Sequence, residues 1–148
     1  MIKIRKFLLT DLEKVIEIDK VSFPNRKPYS ATYFEKLFQK YPEGFVVAEA
    51  KDKILGFAIG RPENGTAEIV SLAVKPEFRQ KGVGQILIEF LINLFREKNI
   101  KEISLHVRTK NKKATSFFQN LGFKISATIK NYYRNGDAYL IKRNLRDG

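Results

Sequence analysis

Residues 68–95 read EIVSLAVKPEFRQKGVGQILIEFLINLF, and the order of signals in that stretch decides the fold. Glu68 to Val74 is dense in β-branched and aliphatic side chains, the composition of a strand buried on one or both faces. Pro76 has no N–H with which to continue a strand's hydrogen bonding, so the chain turns there. Arg79-Gln80-Lys81-Gly82-Val83-Gly84 follows. Ile86, Leu87, Phe90, Leu91, Leu94 and Phe95 then recur at helical spacing, which predicts a helix over 85–95. A helix that opens from a glycine loop directs unsatisfied backbone N–H groups and the positive end of its dipole at whatever precedes it. That arrangement suits phosphate. Gly82 and Gly84 let the backbone approach an anion, and Arg79 and Lys81 add positive charge. Two common phosphate loops do not fit: no Gly-Lys-Ser/Thr follows, and Leu87 stands where the dinucleotide fingerprint needs a third glycine.

On the N-terminal side, Ile2 to Phe7 alternates apolar and basic residues and reads as a strand. Thr10-Asp11-Leu12-Glu13 has the spacing of a capping box, opening a first helix whose apolar stripe is Leu12, Val15, Ile16 and Val21. That helix ends at Ser22-Phe23-Pro24, and Asn25-Arg26-Lys27-Pro28 is loop. Ser30 caps a second helix with Phe34, Leu37 and Phe38 inward, closed off by Pro42 and Gly44. Phe45–Ala50 and Ile54–Ile59 form an antiparallel pair across Lys51-Asp52-Lys53. Arg61 to Gly65 is a second turn.

On the C-terminal side, Lys101 to Arg108 is a strand with Ile103, Leu105 and Val107 on one face and Ser104, His106 and Arg108 on the other. The long helix between this strand and 70–74 is what a parallel crossover requires. A short helix over Lys112–Asn120 packs Ala114, Phe117, Phe118 and Leu121 and stops at Gly122. Ile125–Ile129 and Ala138–Lys142 are the last strands, joined by an Asn135-Gly136 hairpin turn. This order predicts one α+β domain over residues 1–148, with a mostly antiparallel sheet.

The composition agrees with a globular chain: 148 residues, 43% hydrophobic and 12% aromatic. Met1 leads into a strand pattern without an apolar leader, so no secretory signal is expected, and no apolar run is long enough to cross a bilayer. With no cysteine there is neither disulfide nor thiolate chemistry, and a cytoplasmic protein is expected. The net charge of +12 has two readings. One is attraction to polyanions; the other is a lysine-rich solvated surface of the kind heat-adapted proteins carry. The charges form no tail or block, so no specific nucleic acid is expected as a partner.

The run Val74-Lys75-Pro76-Glu77-Phe78-Arg79-Gln80-Lys81-Gly82-Val83-Gly84 closely resembles the coenzyme A diphosphate loop of the GCN5-related N-acetyltransferases. Leu105-His106-Val107-Arg108 with Asn111, Ala114, Phe117-Phe118 and Leu121-Gly122-Phe123 resembles the second half of that family's cofactor site. Lys130-Asn131-Tyr132-Tyr133 resembles a segment of the members that acetylate protein N-termini. Phe23-Pro24 falls where those members shape a peptide groove. The resemblance covers essentially the whole chain and is nearest to the RimI-like and archaeal or eukaryotic N-α-acetyltransferases. It implies a mixed sheet splayed at a central parallel strand pair, with the pantetheine arm of acetyl-CoA in the wedge. Acetyl-CoA is then the cofactor, no metal is involved, and the acceptor is a protein or peptide N-terminus, a ribosomal protein among the candidates.

The same resemblance implies roles. Backbone amides at Leu72, Ala73 and Val74 would bind pantetheine and polarise the thioester. Arg79, Gln80, Lys81, Gly82, Val83, Gly84 and Gln85 would hold the diphosphate, with Asn111, Phe117 and Phe118 along the arm. Phe23, Pro24, Tyr29, Tyr132 and Tyr133 would line the peptide groove. Members carry glutamate or histidine at the position of His106 as general base; Glu68 is the second candidate, able to orient the imidazole. The plain alternatives are a histidine satisfied on a sheet face and a solvated strand-end carboxylate. Phe118 departs from the family, which usually has tyrosine there as acid for the departing thiolate. That acid is unassigned: water, Tyr132 or Tyr133 could serve, or none, since a thiol has a pKa near about 8.5.

Acceptor chemistry has a magnitude attached. A protein α-amine has a pKa of about 7.7–8.0 and a lysine about 10.4, so a neutral lysine costs about 3–4 kcal/mol more. An imidazole is therefore a sufficient base for an N-terminus and a poor one for lysine. Acetylation of a small amine, a basic RNA- or ribosome-binding protein, and a non-catalytic acetyl-CoA binder stay open beside the N-terminal reading, and so does monomer versus homodimer.

Overall fold

The computed structural model describes residues 1–24 and 26–146; Asn25, expected within the first long loop, lies outside the described residues. The elements run β1 (Lys3–Lys6), a 3-10 turn (Leu9–Asp11), α1 (Leu12–Ser22), α2 (Ala31–Lys40), a 3-10 turn (Pro42–Gly44), β2 (Phe45–Ala50), β3 (Lys53–Glu63), β4 (Thr66–Val74) and a 3-10 turn (Pro76–Phe78). They continue with α3 (Val83–Glu97), β5 (Glu102–Arg108), α4 (Lys112–Asn120), β6 (Lys124–Tyr133) and β7 (Gly136–Asn144). The seven strands hydrogen-bond in the order β1-β2-β3-β4-β5-β7-β6. As expected, β4 and β5 are parallel, over Thr66↔Glu102, Ala67↔Ile103 and Glu68↔Ser104, in an otherwise antiparallel sheet. The chain divides into two compact units, Met1–Arg61 with Val70–Asn93, and Pro62–Ile69 with Leu94–Gly148.

In the first unit, α1 and α2 cover an aromatic core. Phe7 stacks on Phe45 at 4.0 Å and meets the edge of Phe38 at 5.2 Å, while Phe34 meets Phe57 edge-on at 6.0 Å. Ser30 caps α2 as expected, its Oγ accepting from the Tyr33 N–H at 3.1 Å. The start of α1 differs from expectation. Thr10 and Glu13 form no capping box; the chain enters through the 3-10 turn, where Asp11 accepts the Leu8 N–H at 2.8 Å. Asp11 is drawn inward because Arg5 binds its carboxylate with two nitrogens, at 2.8 and 3.0 Å, and also reaches Glu49 at 3.1 Å. The stripe of α1 is correspondingly shifted: Val15, Ile18 and Asp19 are buried, whereas Val21 is 51% exposed.

Burial pushes the Asp11 carboxyl up, but the Arg5 hydrogen bonds, the Leu8 amide and the Arg5 charge together outweigh it and hold the pKa below the ordinary carboxylate range. A folded pKa below the unfolded one stabilises the protein above the unfolded value of about 3.9, and that contribution disappears as pH falls through the folded value. Asp11→Asn therefore lowers unfolding free energy by about 2 kcal/mol at neutral pH, and the difference closes in acid, as pH falls through the depressed folded value. Urea midpoints of both proteins at neutral pH and in acid check this; an equal gap at both would refute the charge argument.

Two boundaries in the middle of the chain depart from the sequence reading. Arg61, Pro62 and Glu63 belong to β3, and the turn is Asn64 (φ 53°) with Gly65 (φ 86°) alone. Two left-handed residues suffice to reverse a hairpin, so no longer loop is needed. Helix α3 begins at Val83 and not Gln85, because the Ile86 N–H already bonds the Gly82 carbonyl at 3.0 Å. Its buried residues are Val83, Leu87, Ile88, Leu91, Ile92 and Phe95, while Ile86 and Phe90 are 37% and 38% exposed.

In the second unit, Ile103, Leu105 and Val107 of β5 are buried, as their alternation predicts, with Phe95, Phe118, Phe123 and Ile141. α4 matches its predicted span, but Thr115 and Phe118 are its buried residues. Strands β6 and β7 run well beyond the expected spans, taking in Lys130 to Tyr133. Their turn is Arg134-Asn135, with Gly136 already paired to Tyr133. A Cβ on Gly136 would lie 2.9 Å from Nη1 of Arg108, the mobile end of a long side chain.

Candidate active site

The loop before α3 is built for close approach to its backbone. Gln80 (φ 61°) and Gly82 (φ 85°) are left-handed, an alternation that lines up successive N–H groups on one side. The amides of Val83, Gly84 and Gln85 precede the first intrahelical bond, from Ile86 to Gly82. No heavy atom lies within 4 Å of a Cβ placed on Gly82, so the glycine serves backbone conformation and not a tight contact. Lys81 is exposed, with Nζ 6.0 Å from the centroid of the Phe78 ring. Arg79 does something the sequence did not indicate: Nε donates to the Val74 carbonyl at 2.9 Å and Nη2 to Ser22 Oγ at 3.1 Å, bracing the end of β4. Leu72, Ala73 and Val74 form that end, and Ala73 is buried. Gly56 of β3 lets it pack closely: a Cβ there would lie 2.6 Å from the Ala73 carbonyl oxygen.

In the second unit the structure brings together Glu68, His106 and Tyr132. The parallel register sets Glu68 opposite Ser104, on the face of β5 that also carries His106. Nδ1 of His106 lies 3.5 Å from Oε2 of Glu68, with side chains 22% and 27% exposed. The Tyr132 ring lies flat on the imidazole, with centroids 4.2 Å apart and planes 9° from parallel. Tyr133 meets Tyr132 edge-on at 4.9 Å, and the Arg108 guanidinium sits 4.2 Å over the Tyr133 ring. One imidazole, one carboxylate and two phenol rings thus form a half-exposed patch able to accept and relay a proton.

Other candidates have structural duties. Asn111 caps α4, its Oδ1 accepting from the Ala114 N–H at 3.1 Å. Phe118 is 4% exposed, packed edge-on between Phe117 and Phe123, which makes it core; Phe117 is half-buried. Phe23, Pro24 and Tyr29 belong to the first unit. There Arg26, which sequence reasoning missed, stacks 4.3 Å over Phe23 and 3.9 Å over Tyr29. Its guanidinium bonds Asp19 at 2.7 Å, and Asp19 is 1% exposed and also accepts the Tyr29 N–H at 3.3 Å. The available signal was Asp19 itself, an acid four residues after Val15 on the buried stripe of α1. Among the described residues, no group of three or more His, Asp or Glu side chains could hold a metal ion, and no helix is long and apolar enough to cross a membrane.

The acetyltransferase (GNAT) family matches residues 12–123 of this chain. The chain is 31% identical over 153 residues to an N-alpha-acetyltransferase of Sulfurisphaera tokodaii, covering 94% of this chain and 90% of that one. Ard1 from Thermoplasma volcanium is similar in structure with a TM-score of 0.90, at 33% identity over 97% of both chains. The ribosomal-protein-S18-alanine N-acetyltransferase from Escherichia coli gives a TM-score of 0.85 at 25% identity, over 98% of this chain and 94% of that one.

Proposed function

The chain belongs to the acetyltransferase (GNAT) family, and from that premise we propose that it acetylates the α-amine of protein N-termini, with His106 as general base. The observation that carries this reading is the contact of His106 with Glu68 at 3.5 Å under the flat ring of Tyr132. The named activities of the relatives from Sulfurisphaera tokodaii and Escherichia coli support it.

The family's cofactor is acetyl-CoA, and the residues present suit it. The amides of Val83, Gly84 and Gln85, the left-handed Gly82 and the exposed Lys81 suit a diphosphate. Gln80 shapes the loop, while Arg79 holds its form from the Val74 side. In the first unit Leu72, Ala73 and Val74 offer strand-end amides to the pantetheine arm; in the second, Asn111 and Phe117 are separate candidates for it. When bound, acetyl-CoA supplies the thioester carbonyl carbon to which the amine nitrogen bonds as the C–S bond breaks.

The protein's own part is proton handling. With Nδ1–H directed at the Glu68 carboxylate, the neutral imidazole presents Nε2 as the acceptor for the proton leaving the amine. The imidazolium that forms faces the Glu68 carboxylate, 3.5 Å from Nδ1. Phe118 has no proton to give; Tyr132 or water could supply one to the departing thiol, which at a pKa of about 8.5 would not require an acid. Tyr132 and Tyr133, beside His106, provide aromatic surface for the first residues of the acceptor, and Phe23, Pro24 and Tyr29 are the candidates of the first unit. The reading places the enzyme in the cytoplasm, with a ribosomal protein among its acceptors.

Acceptor choice is the direct test. Incubated at neutral pH with acetyl-CoA and peptides carrying both a free N-terminus and internal lysines, the protein acetylates the N-terminus and leaves the lysines, since the difference in freeing the amine is about 3–4 kcal/mol. Mass spectrometry of the products reads this out. Preference for polyamines or other small amines over every peptide would overturn the N-terminal assignment.

A further inference from the structure

Strand geometry should not permit the Tyr132–Tyr133 pair to sit as it does. Consecutive side chains of a strand leave opposite faces. Tyr133 pairs with Gly136, the residue crowded by the Arg108 guanidinium, and Arg108 in turn lies 4.2 Å over the Tyr133 ring. Tyr133 therefore serves the face of β5 that carries Arg108 and, two residues earlier, His106. Regular alternation would send Tyr132 to the other face. Instead Tyr132 lies flat on His106.

The register explains how. Ile129 pairs with Ala138 and Tyr133 with Gly136, so Lys130, Asn131 and Tyr132 together oppose Asp137 alone. Such a bulge bends its strand and re-aims a side chain. Two observations pin this one. Asn131 is left-handed at φ 56°, a conformation asparagine tolerates better than most residues, and its N–H donates to the Asp137 carboxylate at 2.9 Å. Asp137 is itself anchored to β5, its carbonyl accepting the Thr109 N–H at 3.0 Å. The carboxylate thus satisfies a backbone donor inside the bulge, and it does so from the strand lying between the tyrosines and His106.

We propose that the 130–132 bulge, pinned by the Asp137 carboxylate, is the device that puts two successive tyrosines on the catalytic face, making Asp137 a positioning residue for the acceptor side of the site. It acts through Tyr132 on His106 and touches neither substrate. The proposal rests on the N-terminal acetyltransferase reading for its meaning, but its geometry can be tested without it.

His106 is the only histidine, so its ring protons give an unambiguous NMR reporter. With Tyr132 flat above them they are displaced by the ring current, and Tyr132→Leu supplies the undisplaced reference. Asp137→Ala should move the His106 signal to the Tyr132→Leu position. Asp137→Asn, which keeps an oxygen for the Asn131 N–H, should leave it at the wild-type position. In turnover, Asp137→Ala should lower kcat/KM for an N-terminal peptide by about 10–100-fold, as a small misplacement of reacting groups does, with KM for acetyl-CoA unchanged. Should Asp137→Ala fail to fold, Asn131→Val poses the same question, since a β-branched residue disfavours the left-handed conformation while the carboxylate stays. A His106 signal that stays displaced in these variants overturns the proposal, and so does an unchanged peptide kcat/KM. If the wild type acetylates no peptide at all, the functional reading fails while the NMR comparison still decides the bulge.

Discussion

His106→Ala lowers kcat/KM for an N-terminal peptide by about 10²–10⁴-fold at pH 6.5 to 7, the range a positioned general base contributes. The size of the loss depends on pH in a direction that identifies the role. An α-amine has a pKa of about 7.7–8.0, so below pH 7 almost all of the acceptor is ammonium and must be deprotonated at the site. Above about pH 8.5 solvent has already removed that proton, and the base contributes less. The gap between wild type and variant should therefore be widest near neutral pH, where a neutral imidazole meets an ammonium acceptor, and narrow as pH rises. Full pH profiles of kcat/KM for both proteins measure it, with calorimetric affinity for acetyl-CoA as the control for folding. A constant gap across the range points to a positioning role for the imidazole, and no gap at all removes His106 from the mechanism.

Much of this was legible in the chain because the signals were local. A loop between a β-branched strand and an apolar helix can be placed from Pro76, Gly82 and the run after it, and α4 was placed over its span from its apolar residues and Gly122, although its cap, Asn111, was read only as a cofactor contact. His106 and Glu68 could be paired as soon as β4 and β5 were read as parallel neighbours with their polar positions on one face. What was not legible depends on choices between equivalent local patterns. Helix α3 is apolar over more than half its circumference, leaving Gln85, Glu89, Asn93 and Arg96 as the polar stripe, so periodicity did not choose between rows; packing buried those through Leu87 and Ile88 and left Ile86 and Phe90 outside. Asn135-Gly136 located a hairpin but not its register, in which Gly136 is already paired with Tyr133. The two buried acids, Asp11 and Asp19, were hidden because their partners, Arg5 and Arg26, are defined only by tertiary proximity. The contact between Tyr132 and His106 was the least predictable, for it requires a bulge that nothing in Lys130-Asn131-Tyr132-Tyr133 forces by itself.

The glycine loop offers the second large effect, and a rare matched control for it. Gly82→Val should weaken acetyl-CoA binding by about 100-fold, near 2.7 kcal/mol, about the worth of one or two charge-assisted hydrogen bonds to a phosphate. The reason is not obstruction. Nothing lies within 4 Å of a Cβ at Gly82, so a side chain meets open space. The cost is conformational: at φ 85° a β-branched residue is strained, and relief of that strain turns the amides of Val83, Gly84 and Gln85 away from a common point. Gly65 is the control, because it has φ 86°, equally open surroundings, and a place in the β3–β4 hairpin turn far along the chain from α3. Gly65→Val should lower the melting temperature to a similar degree and leave acetyl-CoA affinity at the wild-type value. Calorimetric titration of the two variants separates general strain from loss of the anion site. If both bind acetyl-CoA like the wild type, the backbone at the head of α3 does not hold the diphosphate; if both lose affinity together, the effect at Gly82 belongs to stability alone.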